Sequence, residues 1–271
     1  AVAGTTGQRC RGPGFPLVLS NVFDAKSGEP LFAPYLVLDR NLDVIRADGS
    51  HASVPIRIGV LGFTPPSILE WDKTSLAGKV TTTGVVEAAE RYLPQVQAER
   101  VDLVIAISHG GLDASPYSSE MENANWHLAK LPGIDALLMG HSHQPFPGHK
   151  DPNSRFATMP GVDNIRGFVH GKPAVMGSFW GKSLGVIALG LVLRDGRWKI
   201  EADATHSEVR NIKRPDGSVV AADPAIEAAV RDEHQATIEY VSTPIGDSDF
   251  AMTSYFADVG DVTALQPVNM A

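Results

Sequence analysis

The sequence predicts an α/β layered fold, and three observations carry that prediction. The runs at 101–107 (VDLVIAI) and 134–139 (IDALLM) are almost continuously apolar, as suits strands buried on both faces. Ahead of them, Val85, Ala88, Ala89, Tyr92, Leu93 and Val96 recur at three- and four-residue steps, the period of an amphipathic helix. Strand, helix and strand then repeat in order along the chain, the pattern of an α/β or αββα core.

Taken in order, residues 1–14 are rich in Gly, Thr and Arg and read as irregular. Phe15 to Val22, Pro34 to Leu38 and Ile56 to Phe63 read as strands. Thr64-Pro65-Pro66 stops the last, because proline donates nothing to a sheet ladder. The helix from Gly84 to Arg100 contains Pro94, which should kink it or end it. A second helix is expected over Ser119 to Lys130, closed by Pro132-Gly133. Beyond residue 143 the chain loosens up to 170. Strands follow at Pro173 to Met176, Leu184 to Leu193 and Trp198 to Ala204, with Asp195-Gly196 as a hairpin turn. Pro224 to Tyr240 reads as a helix with proline in its first turn.

Of the 271 residues, 43% are hydrophobic and 20% charged, so the chain has the apolar content to build a core. The formal net charge is -8, and no Lys/Arg cluster offers the footprint of a DNA or RNA surface. The single cysteine, Cys10, has no internal disulfide partner. No run approaches the roughly 18 apolar residues of a membrane span, so no membrane partner is expected. The first residues lack the basic region and apolar core of a signal peptide.

Two motifs lie just past apolar strands: Ser108-His109-Gly110-Gly111 and Gly140-His141-Ser142-His143. Ligands of α/β sheets gather beyond the carboxyl ends of strands. If the two strands are neighbours, His109, His141 and His143 converge, and neutral imidazole suits zinc and other first-row metals. In an extended segment, side chains at i and i+2 share a side, which would pair His141 with His143. Glycines beside them allow tight turns and close approach. The other histidines read as surface residues: His51 in a polar loop, His127 on a helix, and His149, His170, His206 and His234 in polar stretches. Asp102 and Asp135 precede their strands and sit at the wrong end, and Asp113 reads as a solvated loop residue. Ser108 lacks the Gly-x-Ser-x-Gly elbow of a nucleophile.

The runs SNVFDAKSGEPLFAPYLV, IRIGVLGFTPP, VIAISHGG, ENANWHLAKLPGIDALLMGHSH and GKPAVMGSFWGKSLGVI resemble the bacterial 2′,3′-cyclic-nucleotide 2′-phosphodiesterases/3′-nucleotidases. These belong to the 5′-nucleotidase group of calcineurin-like metallophosphoesterases. The closing stretch from Ala236, with SYFADV, is similar to that family's linker helix and the opening of its nucleotide-binding domain. The resemblance implies a four-layer αββα metallophosphoesterase sandwich, here incomplete. The boundaries it implies are an unmatched 1–14, a metallophosphoesterase domain over 15–205, a linker with helix over 206–240, and the start of a second domain over 241–271.

It also implies two divalent metal ions (Zn, Mn or Co). His109 and His141 would hold the second metal and His143 the first, with a bridging water attacking phosphorus. The implied substrates are 2′,3′-cyclic and 3′-nucleotides, and the implied location is periplasmic. The family's Asp-x-His, bridging Asp and Gly-Asn-His motifs have no counterpart here, so the general-acid histidine is absent and the chain reads as a fragment with little activity of its own. Two alternatives share the three histidines: another enzyme of the superfamily, such as a 5′-nucleotidase/UDP-sugar hydrolase or a sulfur-oxidation thiohydrolase, and a non-catalytic protein that binds metal or nucleotide.

Overall fold

Strands with no polar face need cover on both sides, and the layers of the fold follow from that need. The computed structural model describes residues 13–148, 153–244 and 246–247. The expectations for 1–12, for His149 and for the SYFADV tail lie outside the described residues. The chain divides into two units, 1–219 and 220–271.

The first unit opens with a short strand β1 (Val22–Asp24), then the long hairpin of β2 (Tyr35–Ile45) and β3 (His51–Phe63). Two one-turn helices follow, α1 (Ile68–Trp71) and α2 (Lys73–Leu76), then β4 (Val80–Thr82) paired with β1. Helix α3 (Val85–Ala98) leads to β5 (Leu103–Ser108). The short helix α4 (Asn125–Leu128) leads to β6 (Ala136–Met139). After β7 (Pro145–Phe146), β8 (Val162–Asp163) and β9 (Phe168–Val169) comes β10 (Lys172–Gly177). Two ribbons remain: β11 (Ser183–Ala188) pairs with β14 (His206–Asn211), and β12 (Leu191–Arg194) pairs with β13 (Arg197–Ile200).

The main sheet runs β2-β3-β5-β6-β10-β9-β8, and within it β3, β5, β6 and β10 are parallel neighbours. Side-chain alternation splits it into two faces. On one face Leu61, Ala106, Leu137 and Met176 join the buried side of α3. On the other, Ile56 and Leu103 pack under Trp198 of β13. So a helix, the sheet and the strand ribbons stack in layers, an α/β arrangement that matches an incomplete sandwich. The ribbons leave a gap. Ile107 and its cross-strand neighbour Leu138 lie on the ribbon face yet are 46% and 37% exposed.

Helix α3 buries the six residues its periodicity singled out. It runs through Pro94 to Ala98 instead of ending there. An interior proline costs about 3 kcal/mol. Burying a large apolar side chain contributes about 1.5–3 kcal/mol. Tyr92, Leu93, Val85 and Val96 together outweigh the proline.

Other expectations are corrected as well. Within the described part of the 15–22 run, residues 15–21 form no strand ladder. They cross the sheet end by single contacts: Leu19 N donates to Ala33 O (3.0 Å) and Ser20 N to Gly62 O (2.6 Å). Gly62 permits this, since a Cβ there would sit 2.4 Å from Val18 O. The helix over 119–130 shrinks to α4, because Asn123 and Asn125 spend their side chains on the loop at 110–111. The 184–193 strand breaks at Gly190, where a Cβ would meet that of Ala204 at 2.4 Å. His51 opens β3 and is not in a loop. The Asp195-Gly196 turn is as expected, with φ of 53° and 72°.

In the second unit α5 (Pro224–Val241) starts on Asp223, whose Oδ1 accepts from Ala225 N (2.8 Å) and Ile226 N (3.3 Å). No helix among the described residues is long and apolar enough to cross a membrane.

His170 departs from its surface reading. It sits at φ 48° in the turn joining β9 to β10, with its ring edge against Trp126 at 4.7 Å. Its Nε2 is buried with no hydrogen-bond partner. Burial first, then the fields of Lys130, Lys172 and His127, hold it below the ordinary histidine value of 6.5. The folded state therefore prefers the neutral ring. As pH falls through about 6.5 the unfolded chain gains a proton the folded chain resists, so stability is full above that value and declines below it. The urea midpoint is expected to fall between pH 8 and pH 5.5, and to fall less in His170→Asn, since asparagine tolerates the left-handed backbone. An identical drop in both chains would refute this role.

Candidate metal centre

Parallel pairing of β5 with β6 sets Ser108 beside Met139, so the two histidine motifs leave the sheet side by side. The turns are fastened to each other. Gly140 N donates to Gly110 O (3.1 Å), Asn125 Nδ2 to the same carbonyl (2.5 Å), and Asn123 Oδ1 accepts from Gly111 N (2.8 Å). The glycines are required by contact: a Cβ on Gly111 would lie 2.5 Å from Ser142 Oγ, and one on Gly110 2.9 Å from Glu122 O.

The ring centroids of His109 and His141 are 5.3 Å apart. His143 is stacked on Phe179 at 5.2 Å and reaches His109 through its electrostatic field. The reason for the last placement differs from the extended geometry expected. His141 and His143 both adopt left-handed backbone, φ 68° and 56°, in a tight bend where Ser142 N donates to Gly140 O (2.8 Å). Histidine is among the residues enriched there.

Burial, then the fields of His141 and His143, hold the His109 imidazole below the usual histidine range. A neutral ring keeps a lone pair for a cation. Trp71 stacks on His141 at 4.9 Å from α1, and Glu122 Oε2 lies 3.1 Å from His141 Nε2. Asn125 Oδ1 is buried without a partner. Sequence reasoning missed Glu122, Trp71, Phe179 and the two asparagines. Three of them sit inside ENANWHL, but nothing in that run's spacing marks which side chain turns toward the histidines.

The carboxylates discounted earlier are occupied elsewhere. Asp102 Oδ2 accepts from Arg57 N (2.8 Å), Asp135 Oδ2 from Val104 N (2.7 Å) and Asp113 Oδ1 from Ser115 N (2.8 Å). His127 Nε2 pairs with Ser115 O (2.9 Å). In kind the imidazoles fit a divalent cation. Among the described residues no group of three or more His, Cys, Asp and Glu is placed to hold a metal ion.

No family model matches the chain. It is 40% identical over 260 residues to a 2′,3′-cyclic-nucleotide 2′-phosphodiesterase/3′-nucleotidase of Salmonella typhimurium, covering 96% of this chain and 39% of the relative. The chain thus spans about two fifths of that protein's length. The crystal structure of the calcineurin-like phosphoesterase YfkN from Bacillus subtilis superposes with a TM-score of 0.73 at 35% identity, covering 86% of this chain and 65% of the other. A 5′-nucleotidase precursor from Thermus thermophilus shares the fold alone, with a TM-score of 0.55 at 19% identity over 90% of this chain and 42% of its own. Sequence and fold agree in pointing to the calcineurin-like phosphoesterases, whose fold this chain takes.

Proposed function

We propose that this chain carries one edge of the metal centre of a nucleotide phosphoesterase, and that the whole protein opens 2′,3′-cyclic nucleotides and then hydrolyses 3′-nucleotides, in the periplasm. The observation that supports it is the placement of His109 against His141, 5.3 Å apart, past two adjacent parallel strands. Two divalent ions bound there would neutralise phosphate charge and polarise a phosphoryl oxygen. His109 and His141 would hold one ion and His143 the other.

The chain's own residues do the positioning. Asn123, Asn125 and the glycines fix both turns, and Trp71 and Phe179 back two of the rings. A catalytic site of this kind draws three or more protein ligands to a metal, and the described residues supply fewer.

Equilibrium dialysis against Zn, Mn or Co is expected to show metal uptake. Hydrolysis of 2′,3′-cyclic AMP and 3′-AMP by this chain is expected to be slow and abolished by EDTA. No metal uptake, or turnover indifferent to EDTA, overturns the proposal. The lack of a three-donor group among the described residues favours a second reading, a binding remnant without turnover; one metal per chain with no hydrolysis would select it.

A further inference from the structure

A separate cavity of about 860 Å³ lies between the β10–β11 turn and the end of β14. That size is within the range of small-molecule pockets. Four cations line it, Lys182, Arg210, Lys213 and Arg214, in a chain whose net charge is -8. One carboxylate offsets them, since Glu208 Oε1 accepts from Arg210. The aromatic wall is Trp180, 85% exposed.

Water-facing tryptophan of that extent is unusual, because its ring gains free energy by burial. Its backbone is also held off the common regions. Ser178 and Trp180 take φ of 66° and 49°, a cost that persists where the surroundings enforce it and that often marks a ligand-gripping segment. The ring is braced rather than loose. Phe179 meets it edge-on at 5.1 Å, and Lys182 Nζ sits over Phe179 at 4.1 Å. The brace continues to the candidate metal centre, since the far partner of Phe179 is His143.

A flat, exposed ring in a cavity lined by several cations matches a ligand that carries both a π-face and an anionic group. Bases stack on aromatic side chains whatever their identity. Lysine and arginine take phosphate, as a point charge and as a planar fork respectively. We infer that this cavity is a nucleotide-binding subsite, with the base on Trp180 and the phosphate on Lys213 and Arg214. It shares the nucleotide class with the proposed function but needs neither metal nor the three histidines.

The test is calorimetric titration of the whole chain with AMP, in EDTA and at low salt. AMP is expected to bind without metal, with adenosine and inorganic phosphate each weaker. Trp180→Asn, which tolerates the left-handed backbone, is expected to weaken AMP by about tenfold. Lys213→Ala/Arg214→Ala is expected to weaken it by a similar factor and flatten its salt dependence. Unchanged melting temperatures would show that both variants fold. No AMP binding in EDTA, or affinities unchanged in both variants, overturns the inference. Either outcome leaves metal uptake at His109 untouched, so the two proposals fail separately.

Discussion

Leu137→Ala is expected to lower the unfolding free energy by about 2–5 kcal/mol, toward the upper end of that range. Leu137 is fully buried in β6, and its cross-strand neighbours on the core face are Ala106 and Ala174. Its isobutyl group fills space that two alanines leave open. A third alanine in that row would create a void flanked on both sides by methyl groups, with the nearest large side chain in the row, Leu61, lying beyond Ala106. The cost then includes the cavity as well as the lost transfer free energy. Urea denaturation measures it, with Ile107→Ala as comparison. Ile107 is half exposed, and its truncation should cost under about 1 kcal/mol. Equal midpoints for the two variants would show that the layered core is wrongly assigned.

His109→Ala is expected to weaken divalent-metal affinity by at least about 100-fold, more than loss of an outer partner of a ligand costs. His109 suits this test because, unlike His141 and His143, it is absent from the left-handed residues, so alanine adds no backbone strain there. Competition with a chromophoric chelator reads the constant. His234→Ala, on α5 in the other unit, should match the unaltered chain within about twofold. A His109→Ala chain that holds metal as tightly as its parent would remove this residue from the centre.

What the sequence made legible were elements whose own periodicity decides their state. The apolar runs of β5, β6 and β10 and the stripe of α3 needed no tertiary knowledge. The two histidine motifs were legible for the same reason, since each follows such a strand. Elements decided by distant partners were not. β14 reads HSEVRN, without strand alternation, and exists because β11 offers it a full ladder. β2 continues past Leu38 through Asp39, Arg40 and Asn41 because β3 pairs with it along its whole length. Residues 119–124 carry a helical pattern, and two asparagine side chains redirect the backbone there. Glu122 reaches His141 only because of that redirection. The left-handed bend at His141 and His143 is likewise a product of Gly140 bonding to Gly110, a contact across strands.

The uncovered pair Ile107 and Leu138 has a practical consequence at the bench. Environment-sensitive dyes such as ANS light up on accessible greasy surface and are used to diagnose loosened, half-folded states. Here the well-folded chain already presents such a window. Fluorescence from bound dye at neutral pH would report that window, and only its increase above the native baseline would signal loss of packing.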